Sequence, residues 1–375
     1  MPDYSNTSIA IIGVGLMGGS LGLAAQERLQ VARVTGYSRT ERTLQRALEL
    51  GAITDEAGSI EEAAAGAEII FVATPVRSIL ENARRALAAA KPGSIVTDMG
   101  STKSSLMAAL TAAEEKRFIG GHPVCGSETA GVGNAREDLF DNATWFLTSG
   151  QGVDPSNYER LHGFIAKIGA IPTAIDPDAH DRIMALVSHL PHVLANSAMN
   201  QVGGVNLDGR EALLSAGPSF RDLTRIAGSN PRVWTDIFME NSRWLVEALK
   251  EHRESIDRIT AAVESGDEAA LAAMINEAAA NRDRMLEAEN LAPSDLFVVK
   301  VPVFDRPGVL SQVTVALGNT GINIEDLAFH RISLEQGGVL SLVVSGSETG
   351  DRAVELLRGF GYDAVLVPFT DAEAG

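Results

Sequence analysis

The sequence predicts an α/β chain in three parts: an N-terminal doubly wound domain with a parallel sheet, an all-α middle domain and a small C-terminal βαββαβ domain. Three observations predict it. Short apolar runs alternate with helical segments up to about residue 175; helical spacing of Ala, Leu and charged residues then runs from Asp176 to Asn290; after Asp295 the order becomes strand, helix, two strands, helix, strand. The domains are placed at 1–175, 176–291 and 296–370, with Ala292-Pro-Ser-Asp295 as linker. At 375 residues the chain is long enough for two or three domains. Lys and Arg number 31 against 49 Asp and Glu, a net charge of −18 with no dense basic cluster, which argues against nucleic-acid and acidic-membrane partners. Cys125 is the single cysteine, so an intrachain disulfide and a Cys-based zinc site are excluded and a cytoplasmic location is expected.

The first element is Ser8-Ile-Ala-Ile-Ile12, followed by Gly13-Val-Gly15-Leu16-Met17-Gly18 and a helix to about Leu29. The uncharged stretch from Ser8 to Gln26 carries five glycines and no basic residue before it, so it reads as a soluble strand–turn–helix rather than a signal or a membrane span. In that setting the glycines are a dinucleotide-binding fingerprint: the first makes the turn, the second admits the pyrophosphate, and the third lets helix pack on strand. The domain is therefore expected to be a Rossmann dinucleotide-binding domain. Its second strand, Val31 to Tyr37, ends in Ser38-Arg39, where an NAD site usually has an acid. A hydroxyl beside a guanidinium suits a 2′-phosphate, so NADP is the preferred cofactor, with NAD the alternative. Thr74-Pro75 and Gly100-Ser101 end later strands and join the cofactor candidates.

His122 follows a short strand, in a Gly/Pro-rich loop near the expected nicotinamide crevice; it reads as a general base or as a structural loop histidine. Cys125 reads as a small filler. In the middle domain, His189 and His192 lack partners for a metal, and no metal is expected. Arg221 and Arg225, four apart on a short helix, suit a carboxylate or form a surface pair. The C-terminal order is ferredoxin-like and holds no cluster of catalytic types, so it reads as a binding or oligomerisation module.

These residues resemble the prephenate/arogenate dehydrogenases of tyrosine biosynthesis, with a C-terminal ACT domain. The motifs are Gly13-Val-Gly-Leu-Met-Gly-Gly-Ser, Gly100-Ser-Thr-Lys, Gly121-His-Pro-Val-Cys-Gly-Ser-Glu, Ser188-His-Leu-Pro-His, Phe220-Arg-Asp-Leu-Thr-Arg-Ile-Ala and Asp305-Arg-Pro-Gly-Val-Leu. The resemblance implies NAD(P)-dependent oxidative decarboxylation of prephenate, or of its amino analogue arogenate, by a homodimer with tyrosine as effector. It implies that His122 is the catalytic histidine, that Ser101 orients it, and that Arg225 binds a substrate carboxylate. It further places His192 and Trp234 along the pyruvyl side chain and Asp181, Glu128, Arg221 and Asp222 in a polar network gating the pocket. In the ACT domain it points to Asp305, Gly308, Val309 and Asn323.

The chain departs from the family at Gly217-Pro218-Ser219, where a run of glycines is usual, and at Ser38-Arg39. His192 leans the substrate toward prephenate, since arogenate-specific members tend to lack it. A β-hydroxyacid-type dehydrogenase shares the two-domain plan, but the lysine such enzymes use is absent from Ile175-Asp-Pro-Asp-Ala-His180-Asp. A non-catalytic ligand sensor would not need His122, Ser101 and Arg225 together.

Overall fold

A computed structural model of the chain describes residues 3–125, 129–150, 152–288, 296–303, 309–318, 320–324, 326–333 and 337–369. They form two compact units, 1–253 and 254–375, divided inside a long helix.

The first unit begins with β1 (Ser8–Ile12), α1 (Leu16–Leu29), β2 (Arg33–Tyr37), α2 (Glu41–Glu49), β3 (Asp55–Glu56), α3 (Ile60–Ala65), β4 (Ile69–Val72), α4 (Val76–Ala89) and β5 (Ile95–Asp98). Then come α5 (Ser104–Ala108), α6 (Ala112–Glu115), β6 (Phe118–Pro123), β7 (Thr144–Ser149), α7 (Pro155–Lys167) and β8 (Ile171–Ala174). The sheet order is β3-β2-β1-β4-β5-β6-β7-β8, parallel except where β7 runs against β6. The first six positions are the doubly wound order, whose ligands sit beyond the carboxyl ends of the strands. Strand periodicity builds the core: Ile9 and Ile11 face one apolar layer with Phe71, Trp145 and Phe164, while Ala10 and Ile12 face the other with Ile60, Ile70 and Ile79.

Helices follow: α8 (Pro177–Met184), a π-helical turn over Ala185–His189, and α9 (Leu190–Gly203). Asp176 caps α8, accepting from the N–H of Asp178 and Ala179 at 2.9 and 3.0 Å. Pro191 has no N–H to return to the preceding turn, which gives the wide turn a cause in the sequence. The middle region is not wholly helical. A tight hairpin joins β9 (Asn206–Leu207) to β10 (Arg210–Glu211) through Asp208-Gly209, both at positive φ. Asp-Gly is a hairpin turn signal that the helical spacing around it obscures. Helices α10 (Pro218–Thr224) and α11 (Pro231–Glu240) and the first half of α12 (Ser242–Ser265) complete the unit.

The second unit holds α13 (Glu268–Ala288), β11 (Leu296–Val303), α14 (Val309–Gly318), β12 (Asp326–Ser333), β13 (Gly337–Ser345), α15 (Ser347–Gly359) and β14 (Val365–Pro368). Its sheet is antiparallel in the order β12-β13-β11-β14, with the βαββαβ succession that the sequence predicts. Val299, Val301, Leu340 and Leu342 pack with Val313 and Leu317 of α14 and Ala353 and Leu357 of α15. The predicted linker lies outside the described residues. Among the described residues, no helix is long and apolar enough to cross a membrane.

Candidate active site

Gly13 turns the chain at φ +101°, and a Cβ there would lie 2.5 Å from the carbonyl oxygen of Ala73. At Gly18 a Cβ would meet the carbonyl oxygen of Gly13 at 2.3 Å, so helix and turn pack too closely for any side chain. Gly15 differs: nothing lies within 4 Å of its would-be Cβ, and it lines a crevice of ≈ 470 Å³. The N-terminus of α1 carries no side-chain cap, so its N–H groups are available to an anion. These features fit a dinucleotide pyrophosphate. Ser38, Arg39, Thr74 and Pro75 line the same crevice, as expected. Tyr37, Thr40, Thr43, Asn82 and Gly131, which no motif in the sequence singles out, also line it. Leu16 and Met17 pack against the core and do not line the crevice. Gly100 is buried and donates its N–H to Asp98 at 2.8 Å.

His122 lies near the end of β6 rather than in the loop beyond it. Its Nδ1 meets His180 Nε2 at 2.8 Å, and His180 Nδ1 meets Asp181 Oδ1 at 2.8 Å. Burial, then the neighbouring His180 and Lys103, holds the His122 imidazolium pKa well below the usual histidine value. His122 is thus a neutral imidazole at pH 7. Ser101 was expected to orient this ring, but the partner is His180; the Ser101 hydroxyl makes no hydrogen bond among the described residues. His180 could have been suspected from the His-Asp pair that opens the helical region.

Asp181 was expected in the polar network at the pocket, and its position differs. It is 1% exposed, and its carboxylate accepts the N–H groups of Lys103 and Ser104 at 2.7 and 2.8 Å as well as His180. It ties α8 to the start of α5 beneath the site. Beside it, Lys103 and Asp98 form a fully buried ion pair. Asp98 also accepts the N–H of Gly121 at 3.1 Å, which fixes the residue before His122.

On the helical side, His192 stacks on Trp234, with ring planes 26° apart. Its Nδ1 is buried without a hydrogen-bond partner. Its pKa is lowered by burial and by the nearby Arg225 cation. His189 is buried, sets its ring edge against Trp234, and its Nδ1 lies 3.1 Å from Asn241 Nδ2. Arg225 ends α10 and is exposed, as are Arg221 and Asp222. An ion pair at 3.0 Å between Arg77 and Asp236 joins α4, at the cofactor crevice, to the helix carrying Trp234. Cys125 is part-buried, and burial pushes its thiol up to about 12, as suits a packed side chain. Glu128 lies outside the described residues. Among the described residues, no cluster of His, Cys, Asp and Glu could hold a metal.

Residues 21–172 match the family model for the prephenate dehydrogenase nucleotide-binding domain, and residues 176–277 match that for the prephenate dehydrogenase dimerization domain. The chain belongs to the prephenate dehydrogenase family. It is 31% identical over 355 residues to prephenate dehydrogenase of Bacillus subtilis, covering 94% of this chain and 95% of that one. The crystal structure of prephenate dehydrogenase from A. aeolicus in complex with hydroxyphenyl propionate and NAD+ superposes with a TM-score of 0.70 at 27% identity, covering 74% of this chain and 98% of that one. Arogenate dehydrogenase of Synechocystis gives 0.65 at 27% identity, covering 74% and 99%. Within this family the chain is an oxidoreductase whose nucleotide-binding domain carries the glycine cradle and whose helical segment matches the dimerization domain.

Proposed function

We propose that the protein oxidatively decarboxylates prephenate to 4-hydroxyphenylpyruvate. The observation that carries this reading is the place of His122, hydrogen-bonded to His180 at the carboxyl edge of the sheet that also bears the glycine cradle. The nicotinamide, when bound, supplies the acceptor for the hydride leaving the hydroxyl-bearing ring carbon. His122 Nε2 takes the hydroxyl proton as that carbon becomes carbonyl-like. The bond to the ring carboxylate then breaks, carbon dioxide leaves, and the electron pair makes the ring aromatic. His122 returns the proton to the phenolate oxygen. Arg225 holds a carboxylate, and His192, stacked on Trp234, stands along the pyruvyl group. The ammonium of arogenate would face the Arg225 cation near His192, which favours prephenate. A steady-state assay crossing prephenate and arogenate with NAD and NADP tests the reading; turnover of neither substrate would overturn it.

For the cofactor, Ser38 and Arg39 in the crevice support NADP over NAD. Ser38→Asp adds a ribose acceptor and repels a 2′-phosphate, so it is expected to shift the ratio of kcat/KM values toward NAD by about tenfold or more. A parent enzyme that prefers NAD, with Arg39→Ala affecting neither cofactor, would refute the assignment. A homodimer is supported by the match of residues 176–277 to a dimerization domain and by exposed Val187, Leu207 and Leu214 in that segment. The single, packed cysteine agrees with a reducing cytoplasm.

The βαββαβ unit is read as an ACT-type module that senses tyrosine. Asp305 and Gly308 lie outside the described residues. Val309 is buried in the core of the unit and contributes packing rather than ligand contact, whereas Asn323 is exposed. A chain ending at Pro293 is expected to keep activity and lose inhibition by low tyrosine. Equal inhibition of full and shortened chains would make the unit an oligomerisation device.

A further inference from the structure

We propose that His180 and Asp181 are a positioning pair that sets the tautomer of His122, keeping its Nε2 unprotonated and aimed at substrate. The inference rests on the reading of His122 as the base. Asp181 already receives two backbone N–H groups, from Lys103 and Ser104, and a carboxylate so placed stays ionised and can only accept. The hydrogen between it and His180 therefore sits on His180 Nδ1. A neutral ring with its proton on Nδ1 presents a lone pair at Nε2, so His180 Nε2 accepts from His122 Nδ1–H. His122 is left with its proton on Nδ1 and its lone pair on Nε2. The opposite assignment needs a second proton on His180, making it a cation in a fully buried position.

The surroundings hold this order in place. The edge of Phe146 packs on His180 at 5.4 Å between ring centroids. The charged and titratable groups around the two rings are Asp181, Lys103, Asp98 and His189. Lys103 and Asp98 form a buried ion pair with each other. His189 has Asn241 at its Nδ1, and Asn241 Nδ2 also donates to the carbonyl oxygen of Asp181 at 2.7 Å. Every hydrogen-bonding atom on Asp181, His180 and the inner edge of His122 is thereby committed in one direction. A ring oriented in this way loses much of its function when its tautomer is wrong, by up to ~10⁴-fold in triad enzymes.

The test combines nitrogen-15 NMR of the full-length, histidine-labelled protein with two variants. In the parent, His122 is expected to show a protonated Nδ1 and an unprotonated Nε2 at neutral pH; the reverse pattern would overturn the proposal without any activity measurement. His180→Leu removes the acceptor and is expected to mix the two tautomers and lower kcat by ~10²–10⁴-fold, with KM for the nucleotide unchanged. His180→Gln places an amide oxygen near the position of Nε2 and an N–H₂ toward Asp181, and is expected to restore the tautomer and bring kcat within about tenfold of the parent. A Leu variant of near-parental kcat, or a Gln variant no better than Leu, would refute positioning. If the Leu variant does not fold, the parent and Gln spectra decide. Lack of turnover with prephenate would sink the assigned reaction and leave the tautomer result standing.

Discussion

His122→Asn is expected to lower kcat by ~10²–10⁴-fold while changing nucleotide KM little, because a positioned acid–base group acts on charge that develops only as the hydride departs. Asparagine keeps a donor toward His180 Nε2 but offers no lone pair of matching basicity to the substrate hydroxyl. Steady-state kinetics with a thermal melt check it; near-parental turnover by a folded variant would remove His122 from the mechanism. The pH profile of the parent follows from the environment of the ring. A base works deprotonated, so activity should rise with pH through its pKa and then stay level. Burial and the like charge of Lys103 lower that pKa well below the usual histidine value. The acid limb of kcat/KM should therefore lie below the range of an exposed histidine, with full activity at neutral pH. A limb centred at or above pH 6.5 would contradict the buried, neutral ring.

The parts of this fold that reveal themselves in the sequence are those where one local rule decides. Ile9 to Ile12 followed by Gly13, Gly15 and Gly18 can serve few purposes, because strand burial, positive φ and close helix packing each demand those residues. The βαββαβ succession shows equally well, since its apolar runs keep a period of two. What stayed hidden depends on tertiary approach. His180 is 58 residues from His122, and although the His180-Asp181 pair hints at a relay, it does not say which strand end α8 will reach. Asp181 looks like a pocket acid by its position in the motif pattern, yet it is consumed in holding the backbone at Lys103 and Ser104. Arg85 was invisible as a crevice residue because its bidentate partner, Glu61 at 2.7 and 2.9 Å, comes from a different helix.

Arg225→Ala is expected to raise KM for prephenate by about 10–100-fold with a smaller effect on kcat, since a charge-assisted contact to a carboxylate contributes roughly 1.5–3 kcal/mol. Pro218 starts α10, Thr224 anchors it by donating to the Phe220 carbonyl oxygen at 2.6 Å, and Arg225 follows as its C-terminal cap. That places the guanidinium on the exposed side of a short, fixed helix, close enough to His192 to lower the pKa of that imidazole. The chain as a whole carries a charge of −18, which repels a dianionic substrate. On the proposed reading the Arg225 cation counters that field and gives the carboxylate a planar, two-pronged partner, so Arg225→Lys should recover only part of the loss. Arg221, one turn earlier and also exposed, serves as the comparison: Arg221→Ala should change KM by about twofold or less, as for a solvated surface charge. Raised salt should weaken prephenate binding to the parent more than to Arg225→Ala, because only the parent retains the screened interaction. If prephenate KM stays at the parental value in Arg225→Ala but rises in Arg221→Ala, the carboxylate is held by the earlier arginine, one turn nearer the start of the same face of α10.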